Sequence, residues 1–200
     1  AATVLVTIGL MTWHWLTCPP ALTTATVAST DGLRVRRDGA DRLVSAGERL
    51  RAGDVVTTGD DLGGRIVFDD ETTLTLARQT TLTLHRIANG KRLGLERGGI
   101  EADIAEQPAG RPMVVTTPHA KATVLGTRFH LVATDDVTRL DVVDGSVRFT
   151  RAGDGKHIDV GPGQFVSTTI PAVLPSAGRA MSARLGGVIY EDYANIYVRE

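Results

Sequence analysis

The 200-residue chain contains one cysteine, Cys18, so no internal disulfide can staple it and its stability must come from a packed core. It has no excess of either charge, because 22 Lys and Arg are scattered among 23 Asp and Glu. A nucleic-acid binder needs a basic face that displaces phosphate counterions, and this even scatter argues against one. His14, His85, His119, His130 and His157 are dispersed, with no HxH or HExxH spacing, so no metal ligands are assigned. No GxSxG or comparable nucleophile elbow occurs, so no catalytic or cofactor-binding residue is assigned and the expectation is a protein that is not an enzyme. Aromatics are also scarce. Between Thr30 and Thr169 they are only Phe68, Phe129, Phe149 and Phe165, all at positions that alternation turns inward. A sugar or peptidoglycan cleft needs exposed aromatic rings, so that reading is the weakest.

Thr, Val and Gly are abundant and Lys is rare, a β composition with many tight turns. Leu33–Arg36 alternates and turns at Asp38-Gly39, Asp54–Thr57 follows Ala52-Gly53, and Arg65–Phe68 leads to Asp69-Asp70. Strict alternation marks a strand with one buried face. In TTLTLARQTTLTL, residues 72–84, Leu74, Leu76, Leu82 and Leu84 would point inward and the intervening threonines outward. The repeated TTLTL suggests consecutive turns of a winding sheet. Leu93 and Leu95, then Ile100, Ala102 and Ile104, continue the pattern, and Glu106–Arg111 is the longest break. The stretch VVTTPHAKATVLGTRFHLV, residues 114–132, holds two strand runs divided at Thr117-Pro118. Thr138–Val143 and Ser146–Thr150 read as an antiparallel pair joined by a tight turn at Asp144-Gly145. Lys156–Val160 and Gln164–Thr168 follow, joined by Gly161-Pro162-Gly163. About sixteen short runs at strand spacing, without a helical period, predict an all-β domain over 28–169 in a solenoid-like or twisted sandwich arrangement.

The two ends differ from this domain. Residues 1–16, AATVLVTIGLMTWHWL, carry no charged side chain and end in two tryptophans, which favour the lipid–water boundary. The run is short of the ~20 residues of a membrane span. Because it begins on alanine, we expect further residues upstream. A transmembrane helix over 1–18 is the leading reading, with a signal-peptide core and a buried soluble helix as alternatives. Residues 19–27 read as a linker, 170–182 as a second linker rich in Pro, Ala, Ser and Gly, and 183–200 as a tail or the start of a further domain. That last stretch holds Tyr190, Tyr193 and Tyr197, whose spacing makes them candidates for contact with a partner or for packing. The acidic residues Asp60-Asp61 and Asp69-Asp70-Glu71 lack the spaced ligands of a calcium loop and read as solvated turns.

The succession GDVVTTGDDLGGRIVFDDETTLTLARQTTLTL, LERGGIEADI, VVTTPHAKATVLGTRFHLV, LDVVDGSVRF and VGPGQF resembles the FecR domain family over residues 28–168. VLGTRFHLV is its most specific part. The positions that carry the pattern include Gly126, Thr127, Phe129, Gly145 and Gly163, read as structural: glycine for turns or close approach, threonine for backbone groups. Asp70-Glu71 stands where the family usually has Asp-Gly. The resemblance implies a periplasmic β domain on the outer side of the cytoplasmic membrane, behind a single spanning helix. It also implies regulation of an extracytoplasmic-function sigma factor through a cytoplasmic module not present in these residues. The implied partners are an outer-membrane or envelope signalling protein, the sigma factor and the membrane, with no cofactor and no nucleic acid. An envelope structural or adhesive module that displays another extracellular domain is the alternative.

Overall fold

A computed structural model describes residues 25–168, apart from 31, 62 and 87–89. The apolar segment 1–16 and the three C-terminal tyrosines lie outside the described residues. Among those described there is no helix, and so none long and apolar enough to cross a membrane. Fourteen strands form one mixed sheet, where the sequence suggested about sixteen short runs.

β1 (Ala25–Thr30) takes in residues 25–27, read above as linker, and buries Ala25 and Val27 completely. β2 (Arg34–Arg37) and β3 (Ala40–Leu43) form a hairpin across Asp38 and Gly39, both with positive φ. That is the turn geometry that suits the twist of two antiparallel strands. β4 (Arg49–Leu50), β5 (Val55–Thr57), β6 (Gly64–Phe68), β7 (Thr73–Leu76) and β8 (Thr81–Arg86) complete the first half. The second half contains three long strands: β9 (Arg92–Ile104), β11 (Ala120–Ala133) and β12 (Thr138–Arg151). β10 (Met113–Thr116), β13 (His157–Val160) and β14 (Phe165–Ser167) lie among them.

Each long strand bends and serves two layers. In one layer, residues 147–151 of β12 pair with residues 120–124 of β11, which pair with β10, then the start of β9, β8, β5, β2 and β3. In the other, residues 138–145 of β12 pair with residues 127–133 of β11, which pair with the end of β9, then β7, β6, β1 and β4. The buried side chains of both layers, among them Val35, Leu82, Leu95 and Phe149 from one and Ile66, Leu74, Phe129 and Leu140 from the other, form a single apolar cluster. The sheet therefore doubles over one core. The pairing of β9 with β10 is parallel, and it closes one coil: the chain leaves along the end of β9, turns through 105–112 and returns beside its own start.

The two TTLTL copies are not stacked coils. β7 lies along Ile100–Asp103 and β8 along Arg92–Arg97, so both run down one strand, end to end. The copies are nevertheless equivalent locally. Each opens on a buried threonine, Thr72 or Thr80, whose hydroxyl accepts from a backbone N–H at or just past β9, Ala105 or Gly99. Each is preceded by a non-glycine residue at positive φ, Glu71 or Gln79. Glu71 thus holds the conformation of the glycine usual at that position in the family pattern.

Asp144-Gly145 is not a hairpin turn, since β12 runs through it unbroken. Gly126 likewise sits inside β11. Phe68, Phe129 and Phe149 are buried as alternation requires, whereas Phe165 is half-exposed at the sheet edge, with the Arg139 guanidinium 4.4 Å from its ring centre.

Candidate functional site

The conspicuous surface feature lies where β11 and β12 bend together. Val124 pairs with Val147 and Thr127 with Gly145, leaving Leu125 and Gly126 opposite Ser146 alone. A second irregularity follows at once, as Arg128 pairs with Asp144 but Phe129 pairs with Val142, so that Val143 is the extra residue. These are β-bulges on opposite strands, which bend the ribbon and shift its side-chain parity.

The bulges bring Gly126, Thr127 and Gly145 into contact. A Cβ on Gly145 would lie 2.6 Å from the Gly126 carbonyl oxygen and 2.9 Å from Thr127 Oγ1. The Thr127 hydroxyl donates to the Ser146 carbonyl oxygen at 2.9 Å. Phe129 lies wholly in the core below. Gly163, at positive φ in the link between β13 and β14, donates its N–H to the Val142 carbonyl oxygen. Four of the five family-pattern positions thus sit at or beside one bend, and Phe129 anchors it from beneath.

Outside the bend is an open groove of about 440 Å³, lined by Asp103, Ile104, Glu106, Leu125, Arg128 and Asp144 with the motif residues Gly126 and Thr127. Three carboxylates face one guanidinium there, with Arg128 Nε 3.7 Å from Asp103 Oδ2. Leu125 is 54% exposed and Val143 47%, two of the three exposed large apolar residues among those described. The bulges put them there. An open groove with an acidic rim and apolar knobs suits contact with another macromolecule better than turnover of a small molecule, which is usually enclosed. Among the described residues, no group of three or more His, Cys, Asp or Glu is placed to hold a metal ion.

Two polar clusters brace the fold. Burial raises the Asp54 carboxyl, but the fork of Arg37, at 2.7 and 2.6 Å, and the Arg51 N–H outweigh it and hold it below the usual carboxylate range. Asp70 behaves alike: burial raises it, and Lys91 and Gln107 bring the net shift below the ordinary value. Asp70 is therefore no solvated turn acid. Sequence reasoning missed this cluster, because Asp70, Lys91 and Gln107 are brought together only by the coil through β9. The one local signal is Lys91 itself, a buried lysine in a lysine-poor chain.

The class of protein defined here is an all-β domain, one sheet doubled over one core with an open groove at its bend. Residues 54–148 match the family described as FecR protein. No curated protein sequence matches the chain. Two crystal structures of a Parabacteroides distasonis ATCC 8503 protein, provisionally described as an anti-sigma factor, resemble it with a TM-score of 0.50 at 18% identity. Each match covers 56% of this chain and 53% of the other, so it spans about half the length of those neighbours. At that identity the likeness establishes the fold.

Proposed function

We propose that this chain is the extracytoplasmic part of a membrane-anchored regulator that passes a protein-borne signal to a sigma factor and works by surface contact, not by catalysis. The observation that carries the reading is the FecR family match across β5–β12, whose strands build the bend and its groove. The structural neighbours' description as anti-sigma factors points the same way. The uncharged segment 1–16 suits an anchor just upstream of β1. Recognition would use the groove beside Gly126 and Thr127 or an unpaired sheet edge, where an added strand gains main-chain hydrogen bonds.

Fractionation of the full-length protein with protease protection tests the topology, and affinity capture from its native host tests the output. The expected results are inner-membrane partition, cleavage within residues 33–169 only from the outer side, and recovery of a sigma factor. A soluble protein would remove the transmembrane reading. Membrane partition without any sigma factor would leave the envelope-module alternative in its place.

A further inference from the structure

We propose that Lys91 and Gln107 become joined by an intramolecular isopeptide bond, with Asp70 moving the protons. The proposal is independent of what the domain binds.

Three reactive groups meet at one place, two of them buried and the third, the Asp70 carboxylate, with its side chain 33% exposed. Lys91 is 3% exposed and Gln107 6%. The Lys91 Nζ donates to Gln107 Oε1 at 2.8 Å and lies 5.4 Å from the Phe68 ring centre. One oxygen, Asp70 Oδ2, accepts from both the Lys91 Nζ and Gln107 Nε2, the latter at 2.9 Å. Gln107 Nε2 also donates to the Ala105 carbonyl oxygen at 2.8 Å, which fixes the amide's orientation. The attacking nitrogen and the leaving nitrogen are therefore bridged by a single carboxylate oxygen. That arrangement lets one base take a proton from the first and deliver it to the second, with the reactants held close from the start.

In the step, Asp70 takes a proton from the Lys91 ammonium that donates to it. The free Nζ electron pair attacks Gln107 Cδ and forms the new C–N bond. Asp70 returns its proton to Nε2, the old C–N bond breaks, and ammonia leaves as ammonium with one of the two protons still on Nζ, so that the new amide keeps one N–H. Asp70 ends as a carboxylate, and no oxidant or cofactor is needed. The link would close the coil through β9, 16 residues apart in sequence, in a chain whose single cysteine offers no disulfide.

Intact mass and a tryptic map of the purified full chain test this. The expected protein is lighter by about 17 Da than its sequence, the mass of ammonia, and the peptides carrying Lys91 and Gln107 travel as one. Lys91→Arg, which keeps the positive charge, and Asp70→Asn, which keeps a hydrogen-bonding side chain, are expected at full mass with separate peptides. Wild-type protein at full mass overturns the proposal whether or not either variant folds, and leaves a plain buried ion pair. The same mass loss with unjoined peptides overturns it too, because a succinimide at Asn89-Gly90 would account for it. Joined peptides in Asp70→Asn would remove Asp70 from the role given it.

Discussion

Gly145 and Gly53 separate two reasons for a glycine. Both have positive φ, +83° and +95°, but a Cβ on Gly53 would meet nothing within 4 Å, whereas one on Gly145 would run into the Gly126 carbonyl. Gly53→Ala should cost about 1–2 kcal/mol, the left-handed penalty alone. Gly145→Ala should cost on the order of 3–4 kcal/mol, because backbone must also shift. Urea midpoints at unchanged slope measure the difference, and equal costs would mean that the bend is not crowded. Charge at single residues sets the acid limit. The folded Asp54 carboxyl titrates below its ordinary value, 3.8, so at pH values between the two the unfolded chain binds more protons. The stability it contributes is thus fully present above that value and lost as pH falls through the folded one. Asp54→Asn should be the less stable protein at pH 7 and should lose less than wild type on acidification, as followed by urea midpoints at each pH.

At the scale of elements, the bulges convert a sequence alternation into a shaped surface. β11 carries one residue too many for strict alternation: the parity set by Ala122 and Val124 would turn Phe129, Leu131 and Ala133 outward, and the bulge absorbs the extra residue so that all three are buried. Deleting Gly126 would restore strict alternation and keep Phe129 inward but remove the bulge, so it should destabilise the domain through the lost bend while leaving a cooperative thermal transition. Leu125→Ser, on the exposed side, should stay within about 0.5 kcal/mol of wild type. An unchanged melting temperature for the deletion would show that the bend does not depend on this bulge. The same elements show what the sequence could reveal. Alternation located nearly every strand and its inward face, because burial has a period of two whatever the partner. It did not reveal that β11 and β12 run on through their glycines. Asp-Gly between two apolar runs signals a hairpin turn equally well, and only the neighbouring strand distinguishes a turn from a bulge. Pairing order was hidden for the same reason. The TTLTL repeat announces two similar segments but not that both lie along β9. At the groove, Gly126 and Thr127 were visible as a motif, while Asp103, Glu106 and Asp144 gather around them only after the bend forms.

For the whole molecule, the topology turns on β9. The eight strands before it pair with each other or with β9, and the five after it pair with each other or with β9. Those two groups have no direct strand pairing, yet they share one apolar core. A shared core favours a single cooperative unit, and a single bridging strand would permit two. Leu95, fully buried in β9, decides between them. Leu95→Ala should cost about 2–5 kcal/mol as a cavity mutation. If the core is the unit, hydrogen exchange read by mass spectrometry should show protection falling together in β1–β8 and in β10–β14. If pairing is the unit, one group should open while the other stays protected. Residues 92–104 contribute side chains to both layers, with Leu93 and Leu95 in one and Ile100, Ala102 and Ile104 in the other. Opening either layer would thus strip β9 of half its burial, and we expect the joint loss. A signal received on one layer would then reach the other through the packing of β9, because neither layer can rearrange while that strand stays in place.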